Sequence, residues 1–142
     1  MNHQYLALVH LLNETVMNEE ACIYQITEHL TAMIESSAEA VITINQNGII
    51  EEWNSAATKT FGWSKTEAVG LRLSELIIPH RYRSAHEAGM QRFLTTGATQ
   101  VLNRTIELTA LNNRGIEFPV ELSVWPVKID GTYWFSAFIR DI

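Results

Sequence analysis

Cysteine is almost absent from this chain. Cys22 is the only one in 142 residues, so neither an intrachain disulfide nor a cysteine-built metal cluster is expected. Basic residues are scarce as well. Ten Lys and Arg stand against sixteen Asp and Glu, a net charge of −6, and no nucleic-acid partner is expected of a chain without a basic face. No apolar run approaches the roughly 20 residues of a membrane span. The N-terminus lacks the basic start and apolar core of a signal peptide. These absences point to a cytoplasmic setting with no direct membrane insertion. Catalytic signatures are missing too: there is no Gly-x-Ser-x-Gly elbow, no Walker loop and no His-Glu-x-x-His. Glu51 and Glu52 form a carboxylate pair, but neighbouring strand residues point to opposite faces. A solvated edge is expected there, and no enzyme activity.

What is present suffices for one domain with an appendage, since 46% of the residues are hydrophobic. Residues 4–36 hold no proline and no glycine. Their apolar side chains recur at three- and four-residue steps: Tyr5, Leu8, Leu12, Val16, then Ile23, Ile26, Leu30, Met33 and Ile34. That is the period of an amphipathic helix. Asn18, Glu19 and Glu20 either cap a second helix or interrupt the stripe. The stripe is suited to packing on its own domain, to a coiled-coil-like seam with a second copy, or to both. Residues 1–34 are therefore read as a helical lead-in that carries a homodimer contact. His3, His10 and His29 lie far apart, with no metal-ligand pattern.

Residues 35–142 change character. Ala40–Asn45 is β-rich and ends at Asn47-Gly48, a strong hairpin signal, with a partner strand running to Trp53. Asn54 is a good N-cap for a short helix stopped by Gly62. Ser64 and Glu67 fit a capping box. One more helical turn ends before Pro79, and a longer helix over 81–96 is closed by Gly97. Three strands follow, over about 101–111, 115–127 and 132–140, joined at Asn112–Gly115 and Asp130-Gly131. The expected class is α+β: a five-stranded antiparallel sheet with helices on one face and a pocket between them.

These motifs, in this order, resemble the PAS family: Ala40–Gly48, Trp53-Asn54-Ser-Ala-Ala57, Phe61-Gly62-Trp63-Ser64 with Glu67–Gly70, Gly115–Glu121, and Ile139-Arg140-Asp141-Ile142. The resemblance covers about residues 32–142. It implies a bacterial sensory domain that detects a small ligand or a cofactor-bound gas. The signal would pass to an output domain in the same full-length chain, such as a histidine kinase, cyclase or chemotaxis module, with Asp141 as the exit point. The alternative within the family is a dimerisation or protein-interaction module that binds no ligand. Light sensing through a cysteine is not expected, because Cys22 lies in the lead-in.

The sharpest local feature is Arg81-Tyr-Arg-Ser-Ala-His86. On a helix, Gly89, Met90 and Phe93 share the face of His86. A histidine in an apolar stripe is either a hydrogen-bonded core residue or a ligand. The stretch resembles the haem-binding, oxygen-sensing subgroup of the family. That resemblance implies haem b with His86 on the iron, Arg92 and Gln100 at the propionates, and Val101, Leu122 and Val124 as the apolar wall of the gas side. The distal arginine of that subgroup is replaced by Ile106, and Arg104 lies two residues earlier. Arg104 serves either as a polar distal group or in a salt bridge with Glu107 or Glu121. The other readings of the pocket are an unidentified small ligand, or none with His86 bonded within the core.

Overall fold

The computed structural model describes residues 3–97 and 104–142, in two compact units, Met1–Ile34 and Glu35–Ile142. The first is helix α1 (His3–Ser36). At 1.5 Å per residue it is about 51 Å long. Asn18, Glu19 and Glu20 lie inside it and neither cap nor interrupt it. No proline or glycine is present there to remove a backbone bond or loosen a turn. Thr27 and Thr31 return their hydroxyls to the carbonyls of Ile23 and Thr27, at 2.9 and 2.8 Å. No described helix is long and apolar enough to cross a membrane.

The second unit begins with the hairpin β1 (Ala40–Asn45) and β2 (Ile50–Trp53), then the short helices α2 (Ser55–Phe61), α3 (Lys65–Ala68) and α4 (Leu73–Ile77). The longer α5 (His80–Thr96) leads to β3 (Thr105–Leu111), β4 (Glu117–Ile129) and β5 (Thr132–Asp141). All pairings are antiparallel, in the order β2-β1-β5-β4-β3. The expected architecture is therefore observed, with β4 displaced by two residues from the expected 115–127 and the start of β3 also changed. β3 begins at Thr105, and Arg104 is a bend outside it. Alternation along the strand consequently does not extend to Arg104 or fix its face.

Asn54 ties the hairpin to the helices. Its Oδ1 accepts from the amides of Val41 at 2.9 Å and Ala57 at 3.0 Å, and its Nδ2 donates to the Glu39 carbonyl at 3.0 Å. It is almost fully buried. One side chain thus caps α2, satisfies the buried Val41 amide of β1 and holds the Glu39 carbonyl just before it. Around it, Trp53, Phe61 and Phe118 form a chain of tilted rings with centroids 5.8 Å apart at each step. Gly62 closes α2 at φ 86°. The Asn113 side chain lies against it and donates to its carbonyl at 2.9 Å, where any Cβ on residue 62 would collide with Asn113.

The carboxylate pair departs from expectation. Thr43 pairs with Glu52 and Ile44 with Ile50, so Glu51 has no opposite residue. This bulge breaks the alternation. Ile50 and Trp53 turn into the core while Glu51 and Glu52 both face outward. Glu52 accepts from Thr43 at 2.8 Å, and Glu51 accepts from the Trp134 indole at 2.6 Å.

Asn54→Ala should lower stability by about 2–4 kcal/mol, a lost cap plus a buried amide left unpaired. Urea unfolding measures this. Asn54→Asp, which keeps the acceptor for both amides, should cost less than Asn54→Ala. Equal costs for the two variants would show that the lost amide donor, and not the cap, carries the effect.

Candidate functional site

The longer helix, α5, is attached at its two ends. At the first turn, Arg81 makes a bidentate bond to Glu117 at the head of β4, with contacts of 2.7 and 2.5 Å. Towards the other end, Phe93 meets Tyr133 and Phe135 of β5 edge-on, at centroid distances of 5.0 and 5.4 Å. Tyr133 pairs with Lys128 across the sheet. The helix therefore spans the stretch of β4 between Glu117 and Lys128, which includes Leu122 and Val124. No residue of α5 is fully buried. A Cβ built on Gly89 would meet nothing within 4 Å, while Met90 beside it packs against the core.

The sheet opposite is apolar and incompletely covered. Val120, Leu122 and Val124 alternate onto the inner face, paired with Leu108 and Ile106 of β3 and Ala137 of β5. Val120 is buried, yet Leu108 opposite it is 50% exposed. Ile106, Leu122 and Val124 are half-buried.

His86, on α5, is partly buried. Its Nδ1 is buried and has no hydrogen-bond partner among the described residues. Burial depresses its pKa, and the neighbouring Glu87 carboxylate opposes that only in part. The imidazole is thus held neutral, with a lone pair available. A cavity of about 420 Å³ opens beside it, lined among others by Arg72, Ser74, Met90, Gln91 and the backbone turn at Asn47-Gly48.

The two arginines of the motif have structural partners. Arg81 is the tie to Glu117. Arg83 donates from Nε to the Ile78 carbonyl at 3.0 Å and from Nη2 to the Glu75 carbonyl at 3.3 Å, which caps α4. Of the motif's charged and imidazole groups, His86 is the one left without a partner among the described residues.

The other expected site residues fall out as follows. Leu122 and Val124 share the inner face under α5. Arg92 is exposed on α5 and makes no ion pair among the described residues. Arg104 is exposed, and neither salt bridge expected of it forms, because Glu121 pairs with Arg140 at 2.9 Å instead. Gln100 and Val101 lie outside the described residues. Sequence reasoning missed Arg72, which reaches the Asn47 carbonyl at 3.1 Å and edges the cavity. It lies in a loop, where no periodicity marks it.

The family model described as the PAS fold matches residues 28–142. The chain belongs to the PAS family. It is 31% identical over 114 residues to the Sensor protein FixL of Bradyrhizobium diazoefficiens, covering 80% of this chain and 22% of that protein. It is 24% identical over 108 residues to the Oxygen sensor protein DosP of Escherichia coli, covering 76% and 13%. Among solved structures, the PAS domain of an HTR-like protein from Haloarcula marismortui superposes with a TM-score of 0.71 at 20% identity, covering 89% of this chain and 99% of that one. The chain thus spans less than a quarter of the length of these two curated relatives. The PAS domain is a sensory module typical of sensor proteins and histidine kinases.

A neutral, buried His86 has a pH signature. The unfolded chain takes up its proton near the ordinary value of 6.5, and the folded chain does so only at lower pH. The stability associated with neutral His86 is complete above that value and is lost as pH falls through it. Between about pH 7.5 and about pH 5.5, the native chain should therefore lose more stability than His86→Leu does. Equal losses in urea midpoint would remove His86 from the acid response.

Proposed function

We propose that this PAS domain holds a haem in the gap beneath α5, with His86 as the axial ligand, and serves as a gas-sensing module for an output region of a longer protein. The observation that carries the reading is the buried, unpartnered Nδ1 of His86 beside a cavity of about 420 Å³. An imidazole in that state either bears the cost of an unmet hydrogen bond or binds something. His86 belongs to no group of three or more ligating side chains among the described residues. A metal carried by its own macrocycle, needing one axial donor, suits it better than a metal caged by protein. When bound, haem supplies an iron with a coordination position open to a small gas.

The remaining residues fit the same group. Gly89 leaves room one turn from the ligand, and Leu122 and Val124 provide a flat apolar wall. Arg92, six residues after His86, has a guanidinium free for a propionate, and Gln100 and Val101 belong to this reading by position. Ile106 puts a hydrocarbon where the oxygen-sensing subgroup places arginine, so the gas side offers no strong donor from that position. The name of DosP as an oxygen sensor supports the general class.

The relay half of the reading rests on α1. Ile23, Ile26, Leu30 and Met33 follow steps of three, four and three residues and are all exposed. An amphipathic stripe of this kind is suited to burial against another helix. A seam with the α1 of a second copy would cover it.

Titration of the purified chain with haemin should produce a Soret band at one equivalent. His86→Ala should abolish or shift that band while the fold, followed by circular dichroism, survives. A native chain that takes up no haemin sinks the haem reading and leaves the ligand-free interaction module as the better one. Separately, Leu30→Asp should turn a dimer into a monomer in sedimentation equilibrium. A chain that is monomeric before the substitution contradicts the seam.

A further inference from the structure

The two edges of the sheet are finished differently. At the β2 edge the backbone is sealed by the segment between α3 and α4. Ile50 N donates to the Leu71 carbonyl at 2.9 Å, Gly70 N to the Ile50 carbonyl at 2.8 Å and Leu73 N to the Gly48 carbonyl at 2.9 Å. At the opposite edge, β3 pairs with β4 on one side and with nothing among the described residues on the other. An open strand edge is a row of unmet donors and acceptors, which proteins blunt with charge, proline or a bulge. Residues 105–111 contain no proline and no lysine, and their register with β4 runs unbroken. Glu107 is their one charge. Such an edge is a template for an added strand.

The side chains along the edge define what that strand would carry. One row crosses the sheet from β5 to β3 as Arg140, Glu121 and Glu107. Arg140 pairs with Glu121 at 2.9 Å. Glu107, directly opposite Glu121, meets a like charge and has no cation of its own among the described residues. Like charges in directly opposed positions weaken strand pairing, and opposite charges strengthen it. A cation in the next strand position would therefore complete the row. The neighbouring rows are apolar. Leu122 pairs with Ile106 and Val120 with Leu108, and Leu108 remains 50% exposed although Val120 is buried. A strand laid along β3 would place a cation opposite Glu107 and apolar side chains on either side of it, over the exposed flank of Leu108.

A second copy paired through the same edge does not meet this requirement. Its own β3, Thr105–Leu111, holds no lysine or arginine, so in no register does that strand bring a cation to Glu107. We infer that the open edge of β3 takes an extended segment of a partner protein with the pattern apolar, basic, apolar. Main-chain hydrogen bonds supply the attachment, and the Glu107 carboxylate sets the register. The inference rests neither on haem nor on the α1 seam.

The test uses the full chain and three synthetic heptapeptides with blocked ends. The first alternates valine and lysine. The second has every lysine changed to glutamate. The third keeps the first sequence but carries N-methyl groups on three neighbouring central amides, which removes main-chain donors towards either side. Binding is followed by calorimetry, and the β3 amides by hydrogen exchange. The valine–lysine peptide should bind and slow the exchange of the outward β3 amides, and the other two should not bind. Glu107→Lys should weaken binding of the valine–lysine peptide about five- to tenfold and admit the glutamate peptide. Glu51→Gln with Glu52→Gln, which removes charge from the opposite edge, should leave binding unchanged. Equal binding of the N-methylated peptide would show side-chain attraction without strand pairing and overturn the proposal. So would undiminished binding to the Glu107 variant, or an equal loss from the Glu51 and Glu52 pair. If no peptide binds, the proposal is wrong. A native dimer whose β3 amides lose protection on dilution would then assign the edge to a second copy, and a monomer with protected β3 amides would assign it to another segment of the same chain.

Discussion

Arg81 reaches Glu117 and Phe93 reaches Tyr133 and Phe135, and between these points α5 is a rigid rod. Without a proline or a bulge, a helix of this length bends only gently. The distance between helix and sheet is thus set at the ends, by a guanidinium and an aromatic contact. The middle keeps whatever clearance those ends dictate. A small residue at Gly89 and a histidine one turn before it then define what can enter. The first leaves volume unfilled, and the second leaves one nitrogen unmet.

The same arrangement accounts for a polarised domain. The β1–β2 side, sealed by Asn54, Trp53 and Phe61, is densely packed. The β3 side is thinly covered, with Leu108 half in water although Val120 beside it is buried. Stability is concentrated where no ligand is needed, and the compliant part lies where one would bind. Such a division is expected of a sensor, because the elements that respond must come from the weakly held part of a fold.

Much of this was legible in the sequence because it is local. Asn54 as a cap, Gly62 as a stop and the Ser64–Glu67 box each act within a few residues. The strand pattern also read correctly, since alternation and turn chemistry are short-range. His86 could be singled out because an imidazole among apolar neighbours at helical spacing is conspicuous. The roles of Arg81 and Arg83 could not be read in the same way. Arg81 finds its partner 36 residues away, and Arg83 uses backbone carbonyls, which have no letter in a sequence. The direction of Glu51 was misjudged for a different reason. Two adjacent glutamates look the same in a regular strand and in a bulged one, and only the pairing with Thr43 and Ile44 distinguishes them.

That bulge also makes the length of β2 negotiable. Without Glu51, the strand would read Ile50, Glu52, Trp53, which alternates in, out, in. Both core residues would keep their places and the hairpin would straighten. Ile50 and Trp53 are committed by packing in the core, whereas Glu51 is an insertion that the core does not require. Shortening the chain by one residue there would remove half of an acidic edge without touching the interior. A sheet whose surface charge can be changed by deletion, at no cost to its core, separates what it shows to partners from what keeps it folded.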